Sequence, residues 1–231
     1  MIDMKNLAII PARSGSKGLK DKNVKLLNGV PLIGYSIDVA MSTGIFEEVM
    51  VSTDSEQYAD IAKKCGANVP FLRSERNSTD AASSWDVVRE IIENYRKQGR
   101  EFDTVCLLQP TSPLRISQDI IGAYDLFEKK SATTIISVCE SDHSPLWQNI
   151  LDESLSMDNF IKTDKSSRQM LDTYYRINGA VYIVNVEHIM KNTNIYENSY
   201  AYIMPRERSI DIDEELDFII AEALIQRRRN A

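Results

Sequence analysis

Residues 7–18 read Leu-Ala-Ile-Ile-Pro-Ala-Arg-Ser-Gly-Ser-Lys-Gly, an apolar run that breaks into a glycine-bearing, basic loop. The apolar residues predict a short buried strand that ends at Pro11, because proline cannot donate to a sheet ladder. Gly15 and Gly18 let the backbone turn tightly and approach a ligand closely. A flexible loop at the end of a strand, carrying backbone N–H groups and cations, is typical of a triphosphate site. The cations are Arg13, Lys17, Lys20, Lys22 and Lys25.

The same loop has an ordinary alternative. Basic runs are usually solvated surface loops, and this one matches neither the Gly-x-x-x-x-Gly-Lys-Ser/Thr phosphate loop nor the Gly-x-Gly-x-x-Gly dinucleotide fingerprint. Support for a nucleotide site therefore has to come from other parts of the chain.

Composition indicates one sizeable globular domain spanning residues 1–231, with 43% apolar residues, 26% charged residues and a formal net charge of −7. The acidic balance argues against general nucleic-acid binding, which needs a basic face. No apolar run approaches the ~20 residues of a membrane span, and the first residues do not read as a leader peptide. The three cysteines are widely spaced, which predicts buried thiols in a reducing cytoplasm.

Strand-length apolar runs alternate with helical patterns, which predicts an α/β fold with a mostly parallel sheet layered by helices. The predicted strands are 7–10, 48–52, 69–72, 104–108, 133–138, 180–184 and 202–204, and the predicted helices are 31–43, 55–65, 83–97, 116–130 and 213–228. Residues 139–175 are polar and irregular. A structureless loop of that length is unusual in a compact domain, so we expect an excursion with its own role.

Polar side chains follow several predicted strands, where open α/β sheets bind their ligands. Gln109 and Thr111 lie in a proline-stiffened turn after the central strand and offer an amide and a hydroxyl to a sugar or base, although the turn also reads as purely structural. Arg73 and Ser84 are candidates for base recognition, but serines there also suit a helix cap. Arg176 precedes a strand, where an arginine could clamp a carboxylate or phosphate.

Asp211 and Asp213 fall on the same side of an extended segment, Ser-Ile-Asp-Ile-Asp. Two carboxylates on one face suit Mg²⁺, which keeps water and substrate phosphates as its other ligands. The alternative is that Asp213 caps the final helix, which leaves Asp211 unexplained and makes it the favoured direct ligand.

Several motifs, in this order, resemble those of the acylneuraminate cytidylyltransferases, or CMP-sialic acid synthetases. They are Ile-Pro-Ala-Arg-Ser-Gly-Ser-Lys-Gly with Lys22-Asn23, Leu-Leu-Gln-Pro-Thr-Ser-Pro-Leu-Arg, Arg168-Gln169, Arg176-x-Asn-Gly-Ala-x-Tyr182 and Asp-Ile-Asp. The resemblance runs from the first strand to the last helix. It implies a Rossmann-like nucleotidyltransferase with a mostly parallel mixed sheet and a projecting dimerisation arm at about residues 140–176.

The resemblance further implies that CTP and a nine-carbon 2-keto sugar acid become a CMP-sugar and pyrophosphate, with Mg²⁺, in a homodimer without nucleic-acid or membrane partners. It implies catalytic roles for Lys22, Arg168 and Asp211, with Arg168 delivered from the arm into its own or the partner's site. Carried over residue by residue, the nucleotide side is Arg13, Ser14, Lys17, Asn23, Arg73 and Ser84; the sugar-acid side is Gln109, Thr111, Arg176 and Tyr182; and the metal ligands are Asp211 and Asp213.

One departure bears on the acceptor. The segment Ser144-Pro-Leu-Trp147-Gln carries an aromatic residue in a region where the sialic-acid enzymes carry a lysine. A different nonulosonic acid, such as legionaminic or pseudaminic acid, and neutral drift both explain it. The eight-carbon acid Kdo is disfavoured as acceptor, because the basic loop of the enzymes that use it has a different sequence. The alternative function that is not enzymatic is a sugar-nucleotide binding protein without catalytic activity. For the enzyme, there are two candidates for the group that deprotonates the anomeric hydroxyl, a metal-bound water and Asp211.

Overall fold

The computed structural model describes residues 4–15, 18–79, 81–163, 170–191 and 194–229. In this part of the chain there are eight strands: β1 (Asn6–Pro11), β2 (Leu26–Leu27), β3 (Val30–Pro31), β4 (Phe46–Ser52), β5 (Thr104–Leu107), β6 (Thr134–Glu140), β7 (Tyr175–Asn185) and β8 (Ser199–Ile203). Six of them form one sheet in the order β4-β1-β5-β7-β6-β8, while β2 and β3 form a small ribbon. All neighbours in the large sheet are parallel except the two pairs that involve β7.

The described helices are α1 (Leu32–Thr43), α2 (Glu56–Lys64), α3 (Ser84–Lys97), α4 (Ser117–Lys130), α5 (Val186–Lys191) and α6 (Glu215–Arg229). They cover both faces of the sheet because successive strand residues point to opposite sides. Ala8 and Ile10 of β1 pack with α1, α2 and α4, whereas Leu7 and Ile9 pack with α3 and α5. The predicted α/β class and mostly parallel mixed sheet are confirmed. Among the described helices, none has the length and apolar character needed to cross a membrane.

Most predicted elements are confirmed within a few residues of their ends, and one is wrong. Residues 69–72 form no strand; the pairing there is a single bridge between Met50 and Asn68. Pro70 lacks an N–H group, so the ladder cannot extend through it. The short helix α5 was not predicted, and β7 begins five residues before the predicted Ala180, because Asn178-Gly179 reads as a turn in the sequence.

The reversed strand β7 determines where the long excursion attaches. The ladder between β6 and β7 closes at Glu140 and Tyr175, and the Ser141 N–H donates to the Tyr174 carbonyl at 2.8 Å. Since β6 runs in the same direction as β1 and β5, the segment 141–174 leaves and re-enters at the edge where those strands end. We call this segment the arm. Its described residues carry large apolar side chains that are exposed: Ile150, Leu151, Leu155, Met157, Ile161 and Met170.

Candidate active site

A cleft of about 580 Å³ lies at the carboxyl ends of β1 and β5, beside the loop that precedes α6. This is the edge at which open α/β sheets bind ligands. The cleft brings together nine of the predicted site residues, from four separate parts of the chain. They are Arg13, Lys22, Asn23, Arg73, Ser84, Gln109, Thr111, Asp211 and Asp213.

Lys22 connects the basic loop to the aspartate segment. Its ammonium group donates to the Ile212 carbonyl at 2.6 Å and to Asp213 Oδ1 at 3.0 Å. The Lys22 side chain is 12% exposed, whereas that of Asp213 is 75% exposed. An ammonium group has three N–H donors, so these two contacts leave one for a ligand oxygen. Lys22 is therefore a fixed positive charge at the wall of the cleft.

Asp211 is the buried member of the carboxylate pair. Its Oδ1 atom is buried and has no hydrogen-bond partner within the described ranges. Burial raises the pKa of Asp211, as does the charge of Asp213, while a hydrogen bond from Thr111 and the charges of Lys22 and Arg176 lower it. A buried carboxylate oxygen without a partner is a strong candidate for a cation ligand.

Asp213 does not cap the last helix through its side chain. The backbone N–H groups of Asp213 and Glu214 donate instead to Asp217 Oδ2, at 3.0 Å and 2.9 Å. Asp217 therefore satisfies the helix start, and the Asp213 carboxylate pairs with Lys22. In the described residues there is no cluster of three or more His, Cys, Asp or Glu side chains, so the protein offers a cation two carboxylates. That donor set fits Mg²⁺, which completes its octahedron with water and phosphate oxygens.

The start of the basic loop is held by Asp54, which the sequence analysis did not identify. The Ser14 backbone N–H and hydroxyl donate to the two Asp54 oxygens at 2.7 Å and 2.8 Å. Burial raises the pKa of Asp54, but these hydrogen bonds outweigh it and the pKa is lowered. Ser14 thus faces Asp54 and is not among the cleft-lining residues, whereas Asn23 lines the cleft and donates to the Arg13 carbonyl at 3.1 Å. Lys17 lies outside the described residues.

Arg73 lines the cleft close to the start of the basic loop, and it is held by the end of β4. Its guanidinium donates to the Ser52 carbonyl at 2.7 Å and to the Ser52 hydroxyl at 3.1 Å. Burial lowers the pKa of Arg73 to about 10, so the side chain remains charged near neutral pH. Ser84 begins α3, but the capping side chain is that of Ser83, which leaves the Ser84 hydroxyl available for a ligand. The cleft is also lined by three residues that were not predicted, although they lie between the predicted Arg73 and Ser84: Asn77, Thr79 and Ala82.

Two residues, Arg115 and Gly179, determine the surroundings of Gln109. Arg115, 1% exposed, donates to the Gln109 carbonyl and to the Ser36 hydroxyl, and so fixes the turn from the core side. Gly179 has φ +72°, and a Cβ atom there would overlap the Gln109 side-chain oxygen. A glycine is required at this position both for its backbone angle and for the space.

Arg176 and Tyr182 lie beside the cleft and are not among its lining residues. Arg176 donates to the Ser209 carbonyl at 3.2 Å, and its charge acts on Asp211. Burial raises the pKa of Tyr182 to about 12, with a further contribution from Asp211, and its ring packs edge-on against Trp85 at 5.9 Å. Arg168 lies outside the described residues.

A family model described as cytidylyltransferase matches residues 7–228. The chain belongs to the cytidylyltransferase family. Among curated family members, it is 36% identical over 236 residues to a CMP-N,N'-diacetyllegionaminic acid synthase of Legionella pneumophila, covering 99% of both chains. It is 37% identical to a pseudaminic acid cytidylyltransferase of Campylobacter jejuni, covering 96% of both.

Other family members are longer. The chain is 38% identical to an N-acylneuraminate cytidylyltransferase of Escherichia coli, matching 98% of this chain and 53% of that protein. It therefore spans about half the length of this relative and of its streptococcal counterparts. A solved structure of a CMP:2-keto-3-deoxy-manno-octonic acid synthetase complexed with CTP superposes with a TM-score of 0.73 at 14% identity, covering 97% of this chain and 99% of that one. That likeness supports the Rossmann-like cytidylyltransferase fold.

Proposed function

We propose that this chain transfers CMP from CTP to the anomeric hydroxyl of a nine-carbon 2-keto sugar acid and releases pyrophosphate. The observation that carries the proposal is that one cleft joins the basic loop, the Gln109 turn and the aspartate segment, in a chain of the cytidylyltransferase family. Full-length relatives that are named for legionaminic and pseudaminic acid favour a nonulosonic acid as acceptor. Kdo is the alternative acceptor.

The side chains suit the two ends of such a transfer. Arg13 and Lys22 lie where a triphosphate would need cations, and Arg73 and Ser84 line the same cleft. Gln109 lines the cleft and would offer its amide to a polar acceptor. Nucleotidyl transfer depends mainly on positioning and on neutralising charge at the transferring and leaving oxygens, and this arrangement supplies both.

We further propose that Asp211 and Asp213 hold Mg²⁺. The buried, unpartnered Oδ1 of Asp211 supports this assignment, and so does the exposure of Asp213 toward solvent and substrate. When bound, the ion would supply positive charge to phosphate oxygens. Lys22 bonds to Asp213 without metal and would keep its carboxylate in place.

The test is pyrophosphate release from CTP and Mg²⁺ with a panel of acceptors: N-acetylneuraminic, legionaminic and pseudaminic acids and Kdo. We expect release with at least one nine-carbon acid. The ranking of the acceptors would show whether Trp147 marks a different nonulosonic acid or neutral drift. An Asp211→Asn variant should bind CTP but release little pyrophosphate, whereas Asp103→Asn, whose carboxylate accepts from the Lys5 N–H at the amino end of β5, should stay active. Binding of CTP without release on any acceptor would favour the silent binding module.

We also propose a homodimer in which the arm contacts a second copy. The exposed apolar side chains of the arm support this, because such a group of residues is typical of a protein interface. Arg168 would then act from the arm, in its own or the partner's site. Light scattering would test the assembly, and a fully active monomer would exclude a role for Arg168 across the interface.

A cytoplasmic location is part of the proposal. Cys65, Cys106 and Cys139 are all free thiols, and two of them are buried. Unpaired cysteines fit a reducing compartment. Fractionation of the native host would test the location directly.

A further inference from the structure

Asn178 lies in an irregularity of the sheet beside the cleft. The register between β6 and β7 shifts between Ile136 and Val138, so that the residues around Asn178 are displaced from the ladder. Such bulges often redirect a side chain next to a site. Asn178 is 1% exposed, and its side-chain partners are two serine hydroxyls, a backbone N–H group and the sulfur of Met204.

The Asn178 amide is bonded at both ends. Its Oδ1 accepts from the Ser137 hydroxyl at 2.6 Å and from the Ala180 N–H at 3.2 Å. Its Nδ2 donates to the Ser209 hydroxyl at 2.8 Å, and that hydroxyl donates to the Pro205 carbonyl at 2.8 Å. Ser209 is fully buried and stands two residues before Asp211. The amide therefore ties the sheet to the segment that carries the carboxylates.

The backbone at the same point supports the acceptor side. The Ser112 hydroxyl donates to the Asn178 carbonyl at 3.2 Å, which ties the Gln109 turn to β7. Gly179, the next residue, leaves the space that the Gln109 amide occupies. Asn178 thus connects the Gln109 turn, on the proposed acceptor side, with the segment that carries the carboxylates.

We propose that Asn178 is a positioning residue that fixes the Asp211 segment relative to the Gln109 turn, with Ser209 as its intermediary. This inference rests on the proposed function. Buried amides whose donors and acceptors are all satisfied hold a single geometry, because any displacement leaves a polar group unpaired. A misplacement of about 1 Å between reacting groups costs on the order of 100-fold in rate.

The test compares Asn178→Ala with Asn6→Ala. Asn6 is also buried and makes two side-chain hydrogen bonds, to the Ile45 carbonyl and from the Thr104 hydroxyl, but at the opposite end of β1. We expect Asn178→Ala to lower kcat at least tenfold, a larger change than the rise in its KM for CTP. Asn6→Ala should keep kcat within twofold even if its Tm falls equally.

Ser209→Ala provides a second variant in case Asn178→Ala does not fold, and it should lower kcat in the same way. Ser209→Thr retains the hydroxyl and should restore most of the loss. The double variant of Asn178 and Ser209 should be no slower than Asn178→Ala alone, because both changes remove one connection.

A binding measurement decides the inference without turnover. Calorimetry gives the factor by which Mg²⁺ strengthens CTP binding, and we expect that factor to fall at least fivefold in Asn178→Ala and to be unchanged in Asn6→Ala. An unchanged factor, or a kcat loss equal in both variants, would overturn the positioning role. If the unaltered chain releases no pyrophosphate with any acceptor, the proposed function fails, and the Mg²⁺ factor still decides the role of Asn178.

Discussion

Replacing Lys22 with methionine removes a positive charge from the cleft wall with little change in side-chain length. The Lys22 ammonium donates to the Ile212 carbonyl at 2.6 Å and to Asp213 Oδ1 at 3.0 Å, so its position is fixed without a ligand. The Asp213 carboxylate that loses its partner is 75% exposed and can be solvated by water. We therefore expect the fold to tolerate the change.

The magnitude follows from the charge. At an effective dielectric constant of about 20, two unit charges about 4 Å apart interact by about 4 kcal/mol. If roughly half a unit of charge develops on the leaving pyrophosphate, the transition state loses about 2 kcal/mol more than the ground state, or about 30-fold in kcat. CTP affinity should change less, because Lys22 gives up part of its ion pair with Asp213 when it contacts a ligand, and because Arg13 and Arg73 also line the cleft.

The assay is steady-state pyrophosphate release together with calorimetric CTP binding. Lys25→Met is the matched control, because Lys25 lies in the same loop but pairs with Glu215 at 2.7 Å and does not line the cleft. Lys22→Arg should recover part of the rate. Equal losses of kcat and CTP affinity in Lys22→Met would refute a transition-state role and leave Lys22 as a simple binding residue.

Three further outcomes follow from other contacts. Gly179→Ala should raise the KM for the acceptor and cost about 1–2 kcal/mol in denaturant unfolding, since its φ is +72° and a Cβ would displace the Gln109 amide; an unchanged acceptor KM would contradict this. Asp54→Ala should weaken CTP binding severalfold by calorimetry, because the Ser14 N–H and hydroxyl lose their acceptors. In the unaltered chain the pKa of Asp54 is lowered, so this contact is intact above about pH 4 and is lost as the pH falls through the folded-state pKa. Ile150→Asp should give monomers by light scattering if the arm forms the interface, and a persistent dimer would exclude that part of the arm.

The parts of the fold that could be predicted are those set by local pattern. Apolar runs marked the strands, and Gly44, whose φ is 67°, ends α1 where the pattern placed the stop. The cleft followed from topology, because polar residues after parallel strands must meet at one edge. The resemblance to the acylneuraminate cytidylyltransferases then assigned Lys22 and Asp211, far apart in the chain, to one site.

The parts that could not be predicted depend on contacts between distant residues. Nothing local in the sequence pairs Asp54 with Ser14, forty positions away. Asn178-Gly179 has the composition of a turn, and in the structure it forms an irregularity within β7, between the two stretches that pair with β6. Asp217 has the helix-start role that was the alternative for Asp213, because an acidic residue in the first turn of a helix can reach back to the N–H groups that precede it.

The reversed direction of β7 has a consequence for how this family diversifies. A strand that returns against its neighbours joins β6 through a simple hairpin connection, and the tip of that hairpin must emerge at the edge that holds the cleft. Insertions and substitutions between Ser141 and Tyr174 can therefore change the surface at this edge while the elements that line the cleft stay as they are. Exchanging the arm between relatives would test whether this surface contributes to the choice of acceptor under the proposed function.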